Sequence, residues 1–180
     1  YVEFRDLGPR AKLGRYPVHY HMMGCSPFCR VNGCSIWSSM GAGSRFVSVH
    51  ATSDVRVTNN VGLRCVRHGF FSETGREAGN TWAGNLAVDV RGPEELTVAD
   101  QVGGTHHYWL RSGSTNKGNV AIGGTAKFGM LALPHKVKPV PANLPPFEIA
   151  DFRAYGVAEY GGWIGQDGGT VSNLVSTYCG

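Results

Sequence analysis

The chain is 180 residues long, with 42% hydrophobic and 17% charged residues. That is enough apolar material to bury one core and too much for a disordered tail. Its 26 glycines are about twice the usual share, and an interior Gly costs a helix ~1 kcal/mol, which argues against a helical bundle. The net charge of +4 is scattered without a run of like sign, so no nucleic-acid partner is expected. No apolar run approaches the ~20 residues that span a bilayer as a helix, and no transmembrane segment is expected. The chain opens at Tyr1 as though already inside a strand and reads as a fragment of a longer one.

In chain order, short segments rich in β-branched and aromatic residues predict strands at Phe46–Val49, Val55–Val57, Leu86–Val90, Tyr108–Leu110, Val120–Ile122 and Met130–Leu133. An all-β chain follows. Asn followed by an aliphatic residue punctuates it at Asn60, Asn85, Asn119 and Asn173. The first two spacings fit one coil and one coil with an insertion, and the last fits two coils. A period in the twenties built from strands points to a β-solenoid, in which each coil completes its core only by stacking on neighbours ~4.8 Å away. Asn tolerates the left-handed backbone of a tight bend and can form a ladder along the stack. A β-sandwich shares the short strands and Gly turns and is the alternative. The stretch from Pro134 to Pro146 is too proline-rich for a central strand and is expected to be a loop inserted within a single 1–180 unit.

Cys25, Cys29 and Cys34 are spaced C-x3-C-x4-C, with Cys65 and Cys179 elsewhere. The spacing is not a common zinc pattern, so disulfides in an oxidising compartment are expected, with buried free thiols as the alternative.

Histidines carry the strongest chemical signal. His19 and His21 lie at i and i+2, which in a strand aims both imidazoles to one face. His50 and His68 follow at intervals near one coil each, so stacking would gather His19, His21, His50 and His68 on one patch with Glu73 nearby. Three imidazoles and a carboxylate suit zinc or another divalent metal ion. A ladder of packed rings is the bland alternative. His106 and His107 are adjacent and face opposite ways in a strand, so joint chelation is not expected.

The run Gly14-Arg15-Tyr16-Pro17-Val18-His19-Tyr20-His21-Met22-Met23-Gly24 resembles the G-R-Y-P-[VI]-H-x-H-x-x-G signature of the G8-domain β-helix proteins. That group includes hyaluronan-binding, transmembrane hyaluronidase and fibrocystin-like members. Arg45 to His50, His68 to Gly75, Asn80 to Val88, Tyr108 to Leu110 and Asn119 to Gly124 resemble further family motifs in the same order. The resemblance implies a right-handed parallel β-helix exposed outside the cell, at its surface or secreted, within a longer chain. In one branch it implies depolymerisation of a glycosaminoglycan, with calcium dependence in the transmembrane member. The family's E-D-G is Glu73-Thr74-Gly75 here, and its A-H-S-N is Ala154-Tyr155-Gly156-Val157, so one carboxylate and one His are missing.

Two functions are expected from this reading. In the first the protein is a polysaccharide-engaging module with hyaluronidase-like activity. Glu73 and His68 are then the catalytic candidates, Arg15, Arg64, Arg67 and Trp109 the substrate contacts, and zinc-like metal or calcium the cofactor. Asp54, Glu77 and Asp89 are the available second carboxylates, since glycoside hydrolysis ordinarily needs two. The alternative to the arginine contacts gives Arg45 and Arg67 ordinary surface roles, and in the second function the chain is a non-catalytic scaffold or receptor segment.

Overall fold

The computed structural model describes residues 1–8, 14–24, 28–75, 77–92, 105–111, 113–133, 145–165 and 168–179. Most of the expected Pro134–Pro146 loop lies outside the described residues. Every described element is a strand, and every pairing is parallel. The chain is a parallel β-helix with three faces. One face carries β1 (Glu3–Arg5), the first part of β4 (Ser35–Ser44) and of β7 (Val61–Ser72), β9 (Leu86–Arg91), β12 (Val120–Gly124), β15 (Arg153–Tyr155) and β18 (Val175–Thr177). The second carries β2 (Val18–His21), β5 (Val47–His50), the end of β7, β10 (His106–Arg111), β13 (Phe128–Leu133) and β16 (Tyr160–Ile164). The third stacks β3 (Arg30–Asn32), β6 (Arg56–Thr58), β8 (Thr81–Ala83), β11 (Thr115–Lys117), β14 (Glu148–Ala150) and β17 (Thr170–Ser172). All six predicted strands are present: two are shifted by one residue and the other four are longer by one to three residues.

The bend from the third face to the first explains the Asn punctuation. Asn59, Asp151 and Asn173 occupy one position of that bend in left-handed geometry (φ 55°, 56° and 51°), and glycines 33, 84 and 118 occupy it in other coils. Only Gly, Asn and Asp adopt this region at low cost. The next residue turns inward. There Asn60 Nδ2 donates to Asn85 Oδ1 at 2.9 Å, and Asn85 Nδ2 donates to Asn119 Oδ1 at 3.1 Å. Asn60 and Asn85 also donate to the carbonyls of Val31 and Val57, and Asn119 to that of Trp82. These side chains are buried, so the ladder satisfies backbone groups that the bend would otherwise strand.

The expected fourth rung is corrected. Arg153 and Val175 pair in register, which puts Phe152 and Leu174 at the ladder position and Asn173 one residue earlier. Asn173 is exposed and donates to Asp151 Oδ1 at 3.0 Å, and the buried Phe152 replaces Asn where the ladder ends. Inside the coils, Phe46, Phe70, Trp82, Tyr108, Ile36 and Ile149 fill the core. The Tyr108 hydroxyl donates toward the carbonyls of Asn85 and Val120.

Asn85→Ala takes away the acceptor that the Asn60 amide and Nδ2 share and the donor to the Val57 carbonyl, and is expected to lower the unfolding free energy by about 3 kcal/mol, since each stranded buried group costs ~1–3 kcal/mol. Asn173→Ala is expected to change it by less than ~0.5 kcal/mol. Urea unfolding of both variants checks the difference, and equal losses would contradict the ladder.

Candidate functional site

The second face carries the chemistry. Val18 pairs with Val47, His19 with Ser48, and His21 with His50. β5 then pairs with the end of β7, Val47 opposite Phe70 and Val49 opposite Ser72, and the Glu73 amide donates to the Val49 carbonyl. Glu73 therefore follows His21 and His50 in one column, while His19 stands in the neighbouring outward column. The nitrogens of His19, His21 and His50 lie within 4.8 Å of one another. Ring centroids are 4.6 Å apart for His21 and His50 and 5.0 Å for His19 and His21.

His19 is fixed in one tautomer. Its Nδ1 lies 2.9 Å from the Gly14 carbonyl. A carbonyl only accepts, so Nδ1 carries the proton and Nε2 carries the lone pair. Nε2 is buried and has no hydrogen-bond partner among the described residues. Burial also pushes the His19 pKa down, against the upward pull of the Gly14 contact and Glu73, which keeps the ring neutral at physiological pH.

Glu73 closes the cluster. Its Oε2 accepts from Ser48 Oγ at 3.2 Å, lies 3.4 Å from the Arg45 guanidinium and 3.9 Å from His50 Nδ1. The surface role expected for Arg45 is corrected: it is buried, with its guanidinium 4.3 Å from the Tyr16 ring centre and 3.8 Å from that of Phe71. The aromatic faces offset part of the cost of desolvating the cation. Residues Tyr16, Arg45 and Ser48 escaped the sequence reading as site residues. The motif Arg45-Phe46-Val47-Ser48-Val49-His50 was the available signal, because its odd and even positions reach different columns.

His68 does not join the triad. The interval from His50 to His68 is shorter than the coil, and the register carries His50 onto Glu73 instead. His68 belongs to a buried column with His106, its pairing partner, and the two Nδ1 atoms are 3.1 Å apart. His68 also stacks on Phe71 and meets the edge of Trp109. Burial and then the neighbouring His106 drive its pKa well down, so the ring packs neutral.

The remaining candidates scatter. Arg15 is exposed on the connection before β2. Arg64 pairs with Asp89 at 3.5 Å on the first face, and Arg91 holds Asp89 at 2.7 Å. Arg67 is half-buried at the turn of β7, with positive φ. Trp109 packs against His68, Phe71 and His106. Glu77 is buried and accepts from the amides of Ala51, Thr74 and Gly75 and from the Thr74 hydroxyl. Hydrogen bonds to Thr74 and these amides outweigh burial and lower its pKa. Cys29 is disulfide-bonded, whereas Cys34, Cys65 and Cys179 are free. Both sequence expectations for cysteine are thus met, at different positions.

A parallel β-helix with histidines gathered by coil register defines the class of protein. Residues 1–140 match the CEMIP beta-helix family, and the chain belongs to it. It is 35% identical over 126 residues to mouse fibrocystin-L, a match that covers 69% of this chain and 3% of that protein. It is 28% identical over 165 residues to human cell surface hyaluronidase CEMIP2, covering 76% of this chain and 12% of that protein. It is also 28% identical over 156 residues to communication mutant protein F of Dictyostelium discoideum, covering 77% of this chain and 14% of that protein. The chain thus spans a small part of these relatives. No solved structure matches it.

Because the folded state holds His68 neutral and the unfolded state binds its proton near pH 6.5, stability is full above about pH 6.5 and falls as pH drops below it. His68→Phe is expected to flatten that fall, measured as unfolding midpoints between about pH 7.5 and 5. An unchanged slope would show that His68 is not the group held neutral.

Proposed function

We propose that this segment is an extracellular β-helix module that engages an acidic polysaccharide through a divalent metal ion held by His19, His21 and His50. The observation that carries this reading is the convergence of three imidazoles, one already tautomer-fixed, beside a carboxylate anchored by a buried arginine. Three nitrogen donors suit zinc and related ions, whereas calcium takes six to eight oxygens. The cofactor is therefore zinc-like. A metal ion bound there would attract sugar carboxylates and, in a hydrolytic reaction, acidify a water molecule. Glu73, fixed by Arg45 and Ser48, is placed to accept that proton. The disulfide at Cys29 supports an oxidising, extracellular location, as does kinship with a hyaluronidase named for the cell surface.

A non-catalytic scaffold is the second reading, and one observation favours it. Glu77 is saturated by donors and Asp89 is bound to two arginines, so neither is free to be the partner that two-carboxylate glycoside hydrolysis requires. Asp54, the third carboxylate named from the sequence, is exposed at the bend before β6, and the reading therefore routes any depolymerisation through the metal site.

Calorimetric titration is expected to show one zinc ion bound per chain and no calcium bound at this site. His50→Ala should weaken zinc by more than the ~10–100-fold that loss of an outer-shell partner costs. Hyaluronan binding should fall when zinc is removed by a chelator. Zinc affinity unchanged in His50→Ala would overturn the metal site. Loss of hyaluronan viscosity that disappears in Glu73→Gln would decide for the enzyme over the scaffold.

A further inference from the structure

His19 heads an outward column that runs along the helix axis. Strand register places Ser48, Phe71, Trp109, Leu131 and Trp163 after it in successive coils. Five coil steps of ~4.8 Å make a track of ~24 Å, and one step is close to the length of a pyranose in an extended glycan. Phe71 and Leu131 are buried and form its floor. Trp109 is half-buried and Trp163 is 52% exposed.

Both indoles stand edge-on to a neighbouring stack of rings. Trp109 lies at 84° to His68 and 74° to His106, and Trp163 at 75° to Phe128 and 82° to Tyr160. The same orientation, two coils apart, is what a repeating ligand would meet.

Two further observations point to a polar, anionic occupant. Trp109 Nε1 is buried and has no hydrogen-bond partner among the described residues. The same holds for Nε of Arg111, which is 4% exposed and whose guanidinium lies 5.3 Å from the Trp109 ring centre. A stranded donor on the indole and another on a buried cation are costly unless an acceptor arrives. At the far end the exposed Tyr160 ring lies 6.0 Å from Lys127, whose ammonium is already paired with Glu159 at 3.0 Å. Two indoles for sugar rings, with the Arg111 cation beside Trp109 for a carboxylate, match an extended acidic polysaccharide.

We propose that Trp109 and Trp163 are stacking subsites of one glycan track, along which an acidic polysaccharide lies parallel to the helix axis with its end at the His19–His21–His50 cluster. The track rests on the polysaccharide reading above and adds direction and length to it. At about one pyranose per step, a disaccharide of hyaluronan can fill only one end of the track, whereas a decasaccharide spans it.

The test is calorimetric binding of hyaluronan disaccharide and decasaccharide to the zinc-loaded protein and to Trp163→Ala. The exposed position of Trp163 makes folding of the variant safe, and a thermal unfolding scan verifies it. The decasaccharide is expected to bind the parent at least tenfold more tightly than the disaccharide, and Trp163→Ala to lose about tenfold for the decasaccharide alone. Length-independent binding that Trp163→Ala does not alter would overturn the track and leave the polysaccharide reading standing. Failure of the parent to bind either oligosaccharide would overturn both.

Discussion

The whole structure depends on how one coil is set against the next. At each bend between the third and first faces, a residue in left-handed geometry is followed, in three successive coils, by an inward Asn that bonds the coil behind and the coil ahead. The left-handed residue sets the direction of the turn, and the Asn sets its height. A slip of one residue would turn every side chain to the opposite side of its strand. It would also strand several buried donors and acceptors. Few alternative registers survive such a penalty, and coils of unequal length can still stack because the extra residues are placed in connections elsewhere.

Register then creates proximity. His19, His21, His50 and Glu73 are distant in sequence, yet each comes from an outward position of the same face. The site is built on sheet rather than on a long loop, which favours fixed geometry. Electrostatics strengthens it. A buried Arg45 between two aromatic rings is costly as a lone charge, and Glu73 is the anion that faces it. The carboxylate is thereby fixed beside the three imidazoles, whose nitrogens lie within 4.8 Å of one another.

Much of this was legible in the sequence. Six short strands, the Asn punctuation and the i, i+2 pair His19 and His21 stated the solenoid and half of the site. Two features were not legible, for one reason: coil length varies, and interval arithmetic cannot see by how much. Asn173 looked like a fourth rung but belongs to the left-handed column one residue earlier. His68 looked one coil beyond His50, but the pairing of Val47 with Phe70 hands that place to Glu73. Arg45 was hidden differently, since its burial arises from Tyr16 and Phe71 in the coils on either side. A charged residue that close-packs between rings has no signature in one strand alone.

The chain covers 3% of fibrocystin-L and 12% of CEMIP2, so the unit shared among these long proteins is a stretch of coils. The register of β5 against β7 is the claim on which the site stands, and cysteine cross-linking tests it without any ligand. In a protein carrying His50→Cys and Glu73→Cys, mild oxidation followed by peptide mapping should find the two new thiols joined, since neighbouring strands bring Cα atoms within the ~4.4–6.8 Å a disulfide allows. The same treatment of His50→Cys with His68→Cys should leave them unjoined. Joining of the second pair and not the first would contradict the account.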